Sequence, residues 1–213
     1  MAGKTRIFLI EDYILLRTAL KRALNDEPSL EVVGEAAKEE MALKLIKESK
    51  PNVIVMSAHM IETNVLDIIP KLIRWHPEIR IIVMTSQQND PLLSRFLKIG
   101  AMGILTRDIS LEDAIHAIQL VNRGQRYISP TASNQIAFER LNGSDQSLLE
   151  TLSTRELQVM MLVIQGLNTA TIANRLATAA KTVCSYRYRI YNKLNIKSDV
   201  ELIRLALQYK LLD

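Results

Sequence analysis

The residues able to do chemistry fall into two groups. In the first half of the chain, Glu11 and Asp12, Ser57 and His59, Thr85, and Arg107 each stand at or just after the end of a short apolar run. Adjacent carboxylates can hold a hard cation weakly or pair with a guanidinium. A serine or histidine takes a phosphoryl group only when a neighbouring base activates it, and Ser57 has none beside it in the sequence. In the last third, residues 178–194 read TAAKTVCSYRYRIYNKL. At 3.6 residues per turn, Val183, Tyr186 or Arg187, Ile190 and Leu194 share one side of a helix, and Lys181, Cys184, Ser185, Tyr188 and Asn192 share the other. Arg187, Arg189 and Lys193 flank the polar side, Thr178 can cap the start, and no acidic residue occurs from Leu176 to Ser198. Phosphate would be attracted to such a face, although a basic helix in isolation is more often only a solvated surface.

The elements that must position the first group follow from periodicity. Apolar runs rich in β-branched residues predict strands at Arg6–Ile10, Glu31–Glu35, Asn52–Met56, Ile79–Thr85 and Gly103–Leu105. Between and after them, apolar spacing of three and four predicts helices at Asp12–Leu24, Lys38–Glu48, Val65–Trp75, Pro91–Ile99 and Leu111–Arg123. This (βα)5 order implies a parallel five-stranded sheet covered by helices on both faces, with function gathered at the carboxyl ends of the strands. The candidate residues stand at those ends.

From Gly124 the periodicity breaks, with Ser129-Pro130 and the cluster Asn142-Gly143-Ser144-Asp145 marking turns and a short helix predicted at Thr131–Leu141. We expect residues 126–148 to link a first domain at 1–125 to a second at 149–213. The second opens on Ser153-Thr-Arg-Glu156, a capping-box pattern, followed by the buried stripe Leu157, Met160, Met161 and Ile164 and by Gly166 at a helix end. A helix at Thr169–Ala177 with Ile172, Ala173 and Leu176 inward, a short turn and the basic helix form a helix-turn-helix. A second S-x-x-E pattern at Ser198–Glu201 starts a last helix, whose Leu202, Leu205, Ala206 and Tyr209 can pack inward or pair with a second copy.

Composition narrows the function. The 213 residues carry a net charge of +4, and residues 151–213 alone carry nine Lys and Arg against four Asp and Glu. That asymmetry is expected if the last third meets nucleic acid. No apolar run is long enough to span a bilayer and the acidic pair follows too soon for a signal peptide, so a cytoplasmic chain is expected. One cysteine, Cys184, excludes an internal disulfide, and with only three scattered histidines beside it argues against a structural zinc site. No nucleophile is paired with a base and no Gly-rich phosphate loop is present, so neither an enzyme nor a cofactor is expected.

With Glu11, Asp12 and Thr85 at those positions, the first domain resembles a response-regulator receiver of the CheY-like fold, whose family uses an acidic pair after strand one and a Thr/Ser ending strand four. Ser57 stands where that family has its phospho-acceptor aspartate, Arg107 where it has lysine, and Ile104 where it often has an aromatic. The resemblance with these departures implies a degenerate phosphorylation pocket made of Glu11, Asp12, Ser57, Thr85 and Arg107. No metal is expected there, with a weak cation site at Glu11 and Asp12 as the alternative and Arg107 as the group that would displace it. Three readings stay open: a receiver working without aspartyl phosphate, phosphorylation of Ser57 by a serine kinase, and phosphotransfer to His59.

The second domain resembles the LuxR-type output domain of NarL/FixJ-family response regulators through Leu152, Ser153, Arg155, Glu156, Gly166, Ile172, Ala173, Leu176, Thr182, Val183, Ile190, Lys193 and Leu194. Within that family, SYRYRIYNKLNI followed by DVEL is similar to the GacA/UvrY/LetA branch, while Thr171 and Cys184 depart from it. The resemblance implies an all-α four-helix domain that binds double-stranded DNA as a homodimer. Its base-facing positions fall on Cys184, Ser185 and Tyr188, and its phosphate contacts on Lys181, Thr182, Arg187, Arg189 and Lys193. The expected function is transcription regulation in an α/β-plus-α chain. The rival reading is a protein-interaction module or antagonist that pairs with a related regulator or a sensor kinase and does not bind DNA alone.

Overall fold

The computed structural model describes residues 3–58, 60, 65–85, 90, 92–141, 151–176 and 178–208. His59, the turn cluster at 142–145 and Tyr209, all singled out above, lie outside these. The chain divides into two compact units, Met1–Ile136 and Ala137–Asp213. The first boundary falls inside the stretch expected to be linker.

The first unit alternates strand and helix: β1 (Thr5–Ile10), α1 (Ile14–Asn25), β2 (Leu30–Ala36), α2 (Glu39–Ser49), β3 (Val53–Ser57), α3 (Val65–Trp75), β4 (Arg80–Thr85), α4 (Leu93–Lys98), β5 (Gly103–Thr106) and α5 (Leu111–Asn122). The strands are parallel in the order β2-β1-β3-β4-β5, as right-handed crossovers through helices require. All five residues of β3 are buried, the mark of a central strand covered on both faces. Ile7, Leu9, Val53, Val55, Ile82 and Leu105 pack on one face with Leu24 of α1 and Ala117, Ile118 and Val121 of α5. Phe8, Ile10, Ile54, Met56, Ile81 and Val83, alternating with them, are buried too. Where Phe8 lies over β2 the register slips, and a Cβ on Gly34 would come within 2.5 Å of the Phe8 ring, so only glycine fits beneath it.

The sheet has a sixth strand, which corrects the expected five. β6 (Tyr127–Ile128) extends the sheet beyond β5, with Gly103 level with Tyr127 and Ile104 with Ile128. Two residues leave no periodic signature, but Tyr127 donates its N–H to Met102 and Ser129 to Ile104, which covers the open edge of β5. The chain continues into α6 (Pro130–Leu141), one residue longer than the predicted helix.

Among the described residues the second unit contains α7 (Thr154–Ile164), α8 (Thr169–Arg175), α9 (Ala180–Leu194) and α10 (Asp199–Gln208). Ser153 caps α7 in the predicted capping box: its Oγ accepts from Glu156 N at 3.3 Å, and Glu156 Oε2 accepts from Ser153 N at 2.7 Å. Asn168 caps α8 through Thr171 N. The cap of α9 differs from expectation, because Ala179, not Thr178, is the N-cap residue and supplies no side-chain bond. At its far end Asn195 takes the left-handed conformation with φ 54°, a conformation asparagine tolerates better than most residues. Before α10, Ser198 Oγ accepts from Glu201 N at 3.2 Å, but the Glu201 carboxylate reaches one residue further back, to Lys197 N.

Candidate nucleic-acid interface and receiver pocket

The register of the sheet gathers the first group of residues. Ile10 is level with Met56 and Thr85 with Thr106, so Glu11, Ser57, Thr85 and Arg107 emerge at the carboxyl ends of β1, β3, β4 and β5. Glu11 is 1% exposed; its Oε1 accepts from Tyr13 N at 3.0 Å, and its Oε2 lies 3.7 Å from Arg107 Nη2. That separation is an ion pair without a hydrogen bond. The Arg107 guanidinium also lies 5.9 Å from the Tyr13 ring centroid. Burial pushes the Glu11 carboxyl above its ordinary value and neighbouring Asp12 pushes in the same direction, while the Tyr13 N–H and Arg107 oppose them.

A receiver ordinarily implies a divalent cation held by this cluster. The donors here do not fit one. A hard cation takes six or more oxygens, several of them anionic, and the carboxylates at the pocket are Glu11, which faces a fixed guanidinium, and Asp12. Ser57 would add only a neutral hydroxyl, and no group of three His, Cys, Asp or Glu able to hold a metal ion occurs among the described residues. Ser57 is also only 2% exposed, which closes it to a protein kinase in this conformation.

Thr85 introduces a residue the sequence reading passed over. Its hydroxyl donates to Asp90 Oδ2 at 2.8 Å; Asp90 Oδ1 accepts from Leu92 N, and the Asp90 carbonyl accepts from Gln135 Nε2 at 2.8 Å. Both Thr85 and Asp90 are fully buried. An aspartate directly before Pro91 and a helix is a capping signature, and that was the available signal. The same region ties β6 and α6 down, through Thr106 Oγ1 with Ser129 Oγ at 3.0 Å and Thr131 Oγ1 donating to Asp108 Oδ2 at 3.2 Å.

In the second unit α9 buries Val183, Ile190 and Leu194, as its periodicity dictates. Lys181, Cys184, Ser185, Tyr188, Arg189 and Asn192 are exposed, Tyr188 by 68%, and Thr182 is half-buried. Ser185 folds back to donate to Lys181 O at 3.0 Å, and the Arg189 guanidinium lies 5.8 Å from the Tyr186 ring centroid. Two of the expected phosphate contacts are engaged inside the domain. Lys193 Nζ donates to Glu156 Oε2 at 2.7 Å and to Thr151 O at 3.0 Å. Arg187 pairs with Asp199. The acid-free window in the sequence ends at Ser198, one residue short of Asp199, and says nothing about Glu156 on another helix.

On α10, Leu202 and Ala206 are buried and Leu205 is half-buried, so they serve the domain's own core. Val200, Ile203 and Leu207 are the exposed apolar residues.

Comparison with known proteins places both units in known families. Residues 7–119 match the response regulator receiver domain model, and residues 150–206 match that of bacterial regulatory proteins, luxR family. The chain is 38% identical over 208 residues to the response regulator GacA of Pseudomonas protegens, covering 98% of each chain. It is 34% identical to the response regulator UvrY of Escherichia coli, covering 96% of this chain and 94% of the relative. Among solved structures it shares the fold of RcsB from Salmonella enterica serovar Typhimurium bound to promoter rprA, at a TM-score of 0.76, 20% identity, and coverage of 95% of this chain and 98% of that one. The chain belongs to the response regulators that carry a receiver domain followed by a LuxR-type DNA-binding output domain, the family of GacA and UvrY.

Proposed function

We propose that this regulator binds double-stranded DNA sequence-specifically as a homodimer through the exposed face of α9, and that its receiver works without aspartyl phosphate. The observation that carries the first part is the composition of that face. Lys181, Thr182 and Arg189 supply phosphate contacts, and Cys184, Ser185 and Tyr188 stand between them where base edges would lie, with no carboxylate among them. RcsB, whose fold the chain shares, is seen bound to promoter DNA and as dimers on DNA. The dimer would use Val200, Ile203 and Leu207, an apolar stripe at three and four residues on α10. With no Arg or Lys at the three central positions, readout would favour thymine methyl groups over guanine.

For the receiver, Ser57 in place of the acceptor carboxylate and the Arg107–Glu11 pair remove both nucleophile and metal site. Arg107 stands in for the cation. Asp12 and Thr85 complete the pocket, with the Thr85 hydroxyl committed to Asp90.

The salt dependence of duplex binding by the full chain tests the interface. Lys181→Ala and Arg189→Ala should each flatten the slope of log K against log salt by about 0.9, the effect of one lost phosphate contact. Slopes identical to wild type would remove these residues from the interface. Binding that appears only when a related regulator or a sensor kinase is added would favour an antagonist or interaction module. The receiver reading is tested by incubation with acetyl phosphate and Mg²⁺, where no phosphoryl uptake is expected; labelling at Ser57 or His59 would overturn it.

A further inference from the structure

We propose that Arg187 is a positioning residue that fixes the angle of α9 against its neighbours and does not itself touch DNA, an inference that rests on α9 being the recognition helix. Arg187 lies four residues after Val183 and three before Ile190, on the stripe that α9 turns inward. Its side chain is only 23% exposed. Nη1 donates to Thr169 Oγ1 at 3.1 Å, and Nη2 donates to Tyr191 Oη at 3.3 Å and to the Asp199 carboxylate. The Tyr191 hydroxyl donates to the other Asp199 oxygen.

One guanidinium therefore joins three helices. Thr169 is the first residue of α8, Tyr191 lies one turn further along α9, and Asp199 is the first residue of α10. Burial works against the charge on Arg187, but Tyr191 and Asp199 outweigh it and hold the guanidinium above its ordinary pKa. The charge is present and locally neutralised, so it offers little to a phosphate. The geometry is what it supplies: five donors in a planar fork can span two helix starts and a hydroxyl at once, which an ammonium cannot. Because α10 begins at this cluster and exposes Val200, Ile203 and Leu207, the same bonds set the recognition face relative to the proposed dimer face, and hence the half-site spacing.

The test uses the full chain, a duplex that the wild type selects from a random pool, and a scrambled duplex. Arg187→Gln should weaken binding to the selected duplex about ten-fold or more, the size expected for losing charge-assisted bonds. Affinity for the scrambled duplex and the salt slope should stay at wild-type values. Asp199→Asn should weaken selective binding in the same way although it removes a negative charge, and the swap Arg187→Asp with Asp199→Arg should recover much of the loss. A shallower slope by about 0.9 with equal losses on both duplexes would make Arg187 a phosphate contact and overturn the proposal. Tighter binding by Asp199→Asn would overturn it as well. If Arg187→Gln does not fold, Arg187→Lys carries the test, since it keeps the charge but cannot span to Thr169. A selective loss at unchanged slope then supports positioning, and unchanged affinity refutes it. A wild type that selects no duplex would remove the DNA-binding reading itself, whereas failure confined to the Arg187 and Asp199 variants removes only this one.

Discussion

Replacing Lys193 with alanine should unfold the output domain more readily before it affects anything else. The Glu156 carboxylate is 4% exposed and accepts from Lys193 Nζ and Ser153 N, each at 2.7 Å. Removing the ammonium leaves a buried charge with half its partners. A fully buried pair broken this way costs about 3–5 kcal/mol. Lys193, however, is 39% exposed on its side chain, so water can reach the vacated oxygen. A loss of about 2 kcal/mol, in the range of a charge-assisted hydrogen bond, is the resulting expectation. For a domain of this size that lowers Tm by about 8–16 °C. Acidity supplies a second signature. Burial pulls the Glu156 carboxyl upward, but Lys193 and the Ser153 N–H more than offset it, so its pKa lies below the ordinary value. A depressed pKa contributes stability above the unfolded carboxylate value of about 4.3, and that stability is lost as pH falls through the folded value. Wild type and Lys193→Ala should therefore differ at pH 7 and converge in acid. Urea and thermal unfolding across pH measure both. A Tm unchanged to within about 2 °C, or curves that stay parallel into acid, would refute the reasoning.

Three further variants, at two positions, address the receiver. Glu11→Gln should raise the receiver's thermal midpoint at pH 7, because a carboxyl whose folded pKa is raised favours folding below the unfolded pKa and opposes it at higher pH, while the amide can still accept from Tyr13 N; a lower midpoint would show that the Arg107 pair outweighs burial. Asp90→Ala should destabilise the receiver by about 1–3 kcal/mol by removing the carboxylate that accepts from the buried Thr85 hydroxyl and from Leu92 N–H, with Asp90→Asn costing less, as read by urea unfolding. Equal losses from the two substitutions would mean that the hydrogen bonds are not what Asp90 contributes.

The backbone was more legible in the sequence than the side-chain partners. Ile7, Leu9, Val53, Val55 and their alternating neighbours announce buried strands because burial on both faces forces unbroken apolar runs, and Ser153 and Glu156 announce a helix start because a capping box is local. β6 was missed because Tyr127 and Ile128 join the sheet through backbone bonds that do not depend on side-chain pattern. The partners of Arg187 and Lys193 were missed for a different reason. Sequence shows which residues are basic, but Asp199 comes from the next helix and Glu156 from one 37 residues away. Long-range pairing of this kind leaves no trace in local spacing. Placing Lys181, Ser185 and Tyr188 on one exposed face needed only the helical period.

The measurement that bears most directly on the account is selection of binding sites from a random-sequence duplex pool by the unphosphorylated full chain, repeated with Tyr188→Ala. The wild type should enrich an inverted repeat without any phosphodonor, and the variant should show a changed preference at the central positions. No enrichment over the input pool, enrichment only after phosphodonor treatment, or the same preferred sequence from both proteins would contradict it.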